Sequence, residues 1–356
     1  MSIALFVTAA LIAAGFIRLL SVKAAHALGL LDVPGGRKKH AHPIPLVGGV
    51  GMALAMVILA PWWMTNSSRQ VWLLGLLVMA AIAGVLDDRY HLRARTKLVP
   101  QILMALAVVF GANLSFENLG ELLGDTPVML GAGATLFTVF AIVGTINTTN
   151  MADGLDGLAG GYVAIALLAF LAIAVLGGET AKIPFIATLL GANMGFLAFN
   201  MRAPWRSRAA AFMGDSGSMM LGLALAWLGL RFSIGPNPVM PPVLGALIFA
   251  LPLFDILATL LRRLLGGKNP FRADRRHIHY LLRDTGWTTK QVVSRLHLTS
   301  LLIAALGVAG WHWGWADETL FLIFIGFFVL FLFFVCVMRK ACLRSGLPTH
   351  KTLLHH

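Results

Sequence analysis

Between Ile3 and Met338 the chain carries eleven apolar runs separated by short polar segments. Each approaches the roughly 20 residues that an α-helix needs to cross a bilayer. The runs fall at about 3–22, 46–64, 70–86, 98–113, 127–146, 158–177, 183–200, 216–233, 241–261, 296–313 and 319–338. Backbone groups in hydrocarbon must be hydrogen-bonded within their own segment, and consecutive runs of this length satisfy that need as helices. Charged residues make up only 12% of the 356 positions and hydrophobic ones 58%, too little polar surface to solvate a soluble domain. The expected fold is an all-α polytopic integral membrane protein, with one transmembrane domain over 1–338 and a basic tail over 339–356.

Charge sets the expected orientation. If the amino terminus lies outside, eleven spans place 23–45, 87–97, 147–157, 201–215, 262–295 and the tail in the cytoplasm. Those segments hold 24 of the 28 Lys and Arg residues, as the positive-inside bias requires. This accounts for the net charge of +13 without nucleic acid as a partner. The amino terminus is then periplasmic and the carboxyl terminus cytoplasmic. The first run, Ile3–Leu20, lacks a basic leader and reads as a span, not a cleaved signal. Cys336 and Cys342 supply neither a disulfide framework nor a metal-ligand spacing.

The acidic residues divide into two groups. Glu117, Glu121, Asp125, Glu179, Asp317 and Glu318 fall in outside loops, as ordinary solvated charge. Asp87, Asp88, Asp153, Asp156, Asp215 and Asp255 lie in apolar runs or at their cytoplasmic ends. An ionisable group at membrane depth is costly, so this second group points to a functional site.

Four polar stretches gather on the cytoplasmic side. In "DDRYHLRARTK" (87–97) adjacent carboxylates precede Arg89, Arg93, Arg95 and Lys97, a combination able to hold both a cation and phosphate. A stop-transfer boundary would explain the basic residues but not the paired acids. In "NTTNMADGLDGLAGG" (147–161), Asn147, Asn150, Asp153 and Asp156 recur every three residues and, if helical, drift along one side. Their hard oxygens suit Mg²⁺ and the glycines permit close approach of phosphate, although a Gly-rich turn would use the same residues. In "FMGDSGS" (212–218), Asp215 stands at the start of an apolar helix, where N–H groups and the helix dipole favour an anion. Simple N-capping by Asp215 would look the same. In "RADRRHIHY" (272–280), arginines and two histidines form an anion clamp or an ordinary basic loop, and nothing nearby completes a zinc site. Beyond it, Gly286 can end a short helix, and Thr288 with Gln291 has capping-box spacing, so loop 262–295 is expected to be an ordered lid.

These stretches, with "RKKHAHPIPLVGG" (37–49), stand in the order found in the polyprenyl-phosphate N-acetylhexosamine-1-phosphate transferases. The chain resembles that family, and most closely its WecA-type branch. The resemblance implies eleven spans, a bacterial inner-membrane location and a cytoplasmic active site. It also implies transfer of a sugar 1-phosphate from a UDP-N-acetylhexosamine to undecaprenyl phosphate with release of UMP, commonly the first step of O-antigen or a related polysaccharide. N-acetylglucosamine leads among the sugars, with GalNAc, QuiNAc and FucNAc on the same framework. By the same resemblance Asp87 is the base or orienting carboxylate, Asp88 its partner near the metal, and Lys97 a phosphate contact. Asn150 and Asp215 match Mg²⁺ positions, with Mn²⁺ a possible substitute. Asn147, Asp153 and Asp156 match the nucleotide and catalytic motif, and Arg275, His277 and His279 the loop that holds the sugar phosphates. The chain departs from the pattern at His91, commonly Asp or Asn, and at Tyr280, commonly His. Two rivals are an intramembrane prenyltransferase, which would want a second Asp-rich motif, and an ion-coupled transporter, which would place its carboxylates near the midplane.

Overall fold

The computed structural model describes residues 1–20, 22–33, 43–65, 67–204, 206–235, 237–267 and 277–344. α1 (Ser2–Leu19) and α2 (Val22–Ala27) lead to a two-residue strand, β1 (Leu31–Asp32), paired antiparallel with β2 (Ile44–Pro45). Then follow α3 (Gly48–Ile58), α4 (Ala60–Trp63), α5 (Ser68–Tyr90) and α6 (Ala94–Leu106), the last continued by a π turn over Ala107–Gly111. α7 (Ala134–Ala152), α8 (Leu158–Leu176), α9 (Ile183–Asn200) and α10 (Gly214–Ser233) come next. α11 (Pro242–Ile248), α12 (Ala250–Leu265), α13 (Ile278–Asp284), α14 (Thr289–His312) and α15 (Asp317–Arg344) complete the chain.

Every one of the eleven apolar runs is helical, yet not all are single straight helices. Among the described residues eight helices are long and apolar enough to cross a membrane, and α11 with α12 makes a ninth if that bent pair is one span. The pair turns by 92° at Phe249. Pro252 accounts for the break, since it has no N–H for the carbonyl of Ile248 and its ring crowds that carbonyl. Pro61 likewise divides the run 46–64 into α3 and α4. The protein is an all-α polytopic membrane protein.

α10 is the axis of the bundle. Sixteen of its twenty residues are buried, and α3, α5, α7 and α8 pack around it. A helix that is apolar on all sides gains nothing from facing water and takes the centre. Without a hydrophobic drive between helices in lipid, close packing depends on small residues, and two glycines show this. A Cβ on Gly84 of α5 would lie 2.3 Å from Ser216 Cα and N, and one on Gly49 of α3 would lie 2.0 Å from Gly217 N. The "PLVGG" and "GVLDD" stretches therefore grip the start of α10 from two sides. Backbone bonds reinforce the grip, with Gly48 N–H donating to Phe212 O at 3.0 Å and Gly49 N–H to Met213 O at 2.9 Å.

Two local expectations are revised. The helix carrying Asn147 and Asn150 stops at Ala152, so Asp153 and Asp156 lie in a turn and do not continue along one helical side. The second helix expected in the 262–295 loop is the start of α14, which runs unbroken from Thr289. Its capping box is present, with Gln291 N–H donating to Thr288 Oγ1 at 3.3 Å and Thr288 N–H to Gln291 Oε1 at 2.9 Å.

The contact at Gly84 yields a prediction. Gly84→Val meets backbone rather than a flexible side chain and should cost at least the ~1–3 kcal/mol typical of overpacking. Gly75 on the same helix has nothing within 4 Å, so Gly75→Ala should be neutral or stabilising. Melting temperatures of the two variants in detergent check the contrast.

Candidate active site

α5 ends at its two aspartates. His91 closes the helix in the left-handed conformation, φ 50°, and its N–H donates to Asp87 O at 2.8 Å. Asn, Asp and His are the non-glycine residues enriched in that conformation, so His91 suits the backbone it occupies. Asp87 is buried. Its Oδ1 accepts the Leu92 N–H at 3.0 Å, and its Oδ2 pairs with Lys97 Nζ at 2.5 Å.

Asp88 turns toward α10. Its Oδ1 accepts the N–H of Asp215 at 2.8 Å and its Oδ2 that of Ser216 at 3.3 Å. The anion expected at the amino end of α10 is therefore the protein's own Asp88. Asp215 does not cap its own helix, since no side-chain cap is made at Met213.

Lys97, in the first turn of α6, spans the site. Its Nζ lies 2.9 Å from Asp215 Oδ2 as well as beside Asp87. Asp215 also accepts a hydrogen bond from Asn150 Nδ2, which donates further to Ser218 Oγ at 2.9 Å. Asp87, Asp215, Asn150 and Lys97, from four helices, thus form one cluster. Asn147 stands one turn earlier on α7, where its Nδ2 donates to Gln101 Oε1 at 2.7 Å and to Val143 O at 2.8 Å.

The turn after α7 is held from outside. Asn200 is fully buried. Its Oδ1 accepts the Gly157 N–H at 2.7 Å and its Nδ2 donates to Ala211 O at 2.9 Å. Gly157 has φ +82° and suits no branched residue. Asp156 Oδ2 accepts from Arg202 Nε at 2.7 Å and from Ala209 N–H at 3.2 Å. Asp153 makes no such pair among the described residues, and burial, helped by repulsion from Asp215 and Asp156, pushes its carboxyl from 3.8 up to about 7.

The lid closes over this turn. His277 precedes α13 and its Nδ1 lies 3.0 Å from Asp255 Oδ2. His279 packs against Gly154, where a Cβ would come 2.3 Å from its Nε2. Burial lowers His279 to about 4, so it is neutral at physiological pH. Arg275, with Arg272 and Arg276, lies outside the described residues.

The structure thus joins Asp87, Asp88, Lys97, Asn150 and Asp215 directly and brings Asp153, Asp156, His277 and His279 around the adjoining turn. Gln101, Asn200 and Arg202 had no motif to mark them, because each acts through a partner distant in sequence. Asp255 was visible only as a carboxylate in an apolar run.

Asp215 carries carboxylate oxygens and Asn150 an amide oxygen, hard donors of the kind Mg²⁺ takes, although here Asn150 turns its Nδ2 toward Asp215. Among the described residues no three His, Cys, Asp or Glu side chains converge to hold a metal alone. Mg²⁺ commonly takes one or two carboxylates and completes its shell with water and substrate phosphate, so the donor set fits a metal that binds together with a phosphate-bearing ligand.

A polytopic helical bundle with buried carboxylates, a lysine and two histidines at one end is a membrane protein built around a polar, charged site. Residues 70–233 match the family model "Glycosyl transferase family 4". Over 318 residues the chain is 32% identical to the undecaprenyl-phosphate alpha-N-acetylglucosaminyl 1-phosphate transferase of Haemophilus influenzae, covering 89% of this chain and 88% of that protein. It is 33% identical over 318 residues to the protein of the same name from Pasteurella multocida, with the same coverage, and 30% over 320 residues to that of Escherichia coli K12, covering 89% and 86%. The chain belongs to glycosyl transferase family 4, in agreement with the resemblance carried by its motifs.

The raised Asp153 carboxyl gives a pH prediction. In the unfolded chain it ionises above about pH 4, whereas in the fold it remains protonated to about 7. Its contribution to stability is therefore full at low pH and lost as pH rises through that interval. Asp153→Asn should match the parent's melting temperature near pH 4, exceed it increasingly up to pH 7, and keep a constant advantage above. A constant offset at all pH values would contradict this.

Proposed function

We propose that the protein transfers N-acetylglucosamine 1-phosphate from UDP-GlcNAc to undecaprenyl phosphate, releasing UMP and leaving an undecaprenyl-pyrophosphoryl sugar. The observation that carries the reading is Lys97 held between Asp87 and Asp215, beside Asn150, at one end of a lipid-embedded bundle. The names of the relatives and the basic segments on that face support it. In this reading the face is cytoplasmic, the membrane is the bacterial inner membrane, and the product initiates O-antigen or a related surface polysaccharide.

Phosphoryl transfer depends on in-line placement and charge neutralisation more than on covalent help from the protein. An oxygen of the lipid phosphate attacks the phosphorus bonded to the sugar oxygen. The new P–O bond forms the pyrophosphate linkage, while the bond to the UMP oxygen breaks and UMP leaves. A phosphate monoester is largely ionised at neutral pH, its second pKa being about 6, so Asp87 orients the nucleophile more than it deprotonates it. Lys97 moves from its carboxylates to the lipid phosphate. With Asp87, Asp88 and Asp215 ionised, the three acids outnumber the one lysine, and two anionic substrates need further positive charge. Mg²⁺ held by Asp215 and Asn150 would supply that charge as a Lewis acid on the nucleotide's phosphates. The lid histidines lie on the side of the Asp153–Gly157 turn, where the sugar nucleotide would enter.

Purified protein given undecaprenyl phosphate and UDP-GlcNAc should release UMP and no pyrophosphate, should stop in EDTA and should recover with Mg²⁺. Asp87→Asn and Asp215→Asn should each lower kcat by about a hundredfold or more. Wild-type turnover in both variants would sink the assignment, pyrophosphate release would favour prenyl transfer, and a panel with UDP-GalNAc, UDP-QuiNAc and UDP-FucNAc tests the sugar.

A further inference from the structure

We infer that Asp255 is a positioning residue for the lid, fixing both the seat of α13 and the ring nitrogen that His277 offers to a ligand. Asp255 lies on α12, just past the 92° bend. Its two oxygens have different tasks. Oδ1 accepts the N–H of Ile278, the first residue of α13, at 3.0 Å. Oδ2 lies 3.0 Å from His277 Nδ1. An ionised carboxylate can only accept, so the Nδ1 of His277 carries the proton. Nε2 is then the nitrogen left open to a ligand.

The same carboxylate reaches the site indirectly. The His277 and His279 rings stack nearly parallel, 8° apart with centroids at 5.9 Å. His279 is buried, its Nε2 has no partner among the described residues, and it rests on Gly154. A displaced Asp255 would thus shift two histidines against the Asp153–Gly157 turn. Asp255 does not itself hold substrate. The cavity that it lines with Thr148, Tyr162, His277 and His279 is about 10 Å³, near the size of one water and far below that of a nucleotide.

Asparagine separates the two tasks. In Asp255→Asn the side-chain oxygen can still cap α13, but the amide presents a donor to His277 Nδ1 and drives the proton to Nε2. Alanine removes both contacts. The test uses full-length protein labelled with ¹⁵N-histidine, the His277 signal being identified by its loss in His277→Gln. The parent should show the Nδ1–H tautomer and Asp255→Asn the Nε2–H tautomer. Asp255→Asn should keep the parent's melting temperature and its KM for UDP-GlcNAc while losing kcat by about tenfold or more, the scale of lost orienting partners. Asp255→Ala should lose kcat, raise KM and lower the melting temperature. An Nε2–H tautomer in the parent, or parental kcat in Asp255→Asn, overturns the inference. The kinetic arm rests on the transferase reading. If the parent releases no UMP, that reading fails, while the tautomer measurement still decides the role of Asp255.

Discussion

Two hydrogen bonds from the start of α10 to the carboxylate of Asp88 hold the remainder of the site in place. Hydrogen bonds to a charged group are worth on the order of 1.5–3 kcal/mol each, and here they join α5 to the central helix at the point where Gly84 lets the two backbones meet. Asp215 lies in the turn that Asp88 caps, so its direction toward Lys97 and Asn150 follows from the cap. Asp87, one residue before, is fixed with it. The adjacent carboxylates thus divide the work, Asp88 capping α10 and Asp87 holding Lys97.

A second layer of polar contacts supports the turn after α7. Asn200 binds Gly157 and Ala211, Arg202 binds Asp156, and the lid rests on Gly154. These partners come from α9, the segment after it and α13, so the turn is braced by chain that supplies no reacting group. Asp153, without a cation partner among the described residues, is the acid there whose charge burial resists. In the proposed reaction its protonation state is free to respond to a bound ligand, whereas Asp156 is already paired with Arg202.

Much of this was legible in the sequence and some was not. The apolar runs and the positive-inside bias declared a polytopic helical protein, and the motif order declared the family. The breaks at Pro61 and Pro252 were passed over, because hydropathy alone reads both runs as continuous. That His91 takes the left-handed conformation closing α5 could not be read from its side chain alone. The pairings of Asp88 with Asp215 N–H, Asn147 with Gln101 and Asp156 with Arg202 were illegible for a different reason. They join positions 46 to 127 residues apart, and nothing local encodes which buried polar group will find which partner.

The capped end of α10 has a consequence for how such a protein can diversify. In many phosphate sites main-chain N–H groups at a helix start grip the ligand, and that grip cannot be altered without rebuilding the backbone. Here Asp88 has taken those N–H groups, so in the proposed reaction the recognition of phosphate would fall to exchangeable side chains such as Lys97. A site organised in this way would change its ligand one residue at a time, while the helices that frame it remain where they are.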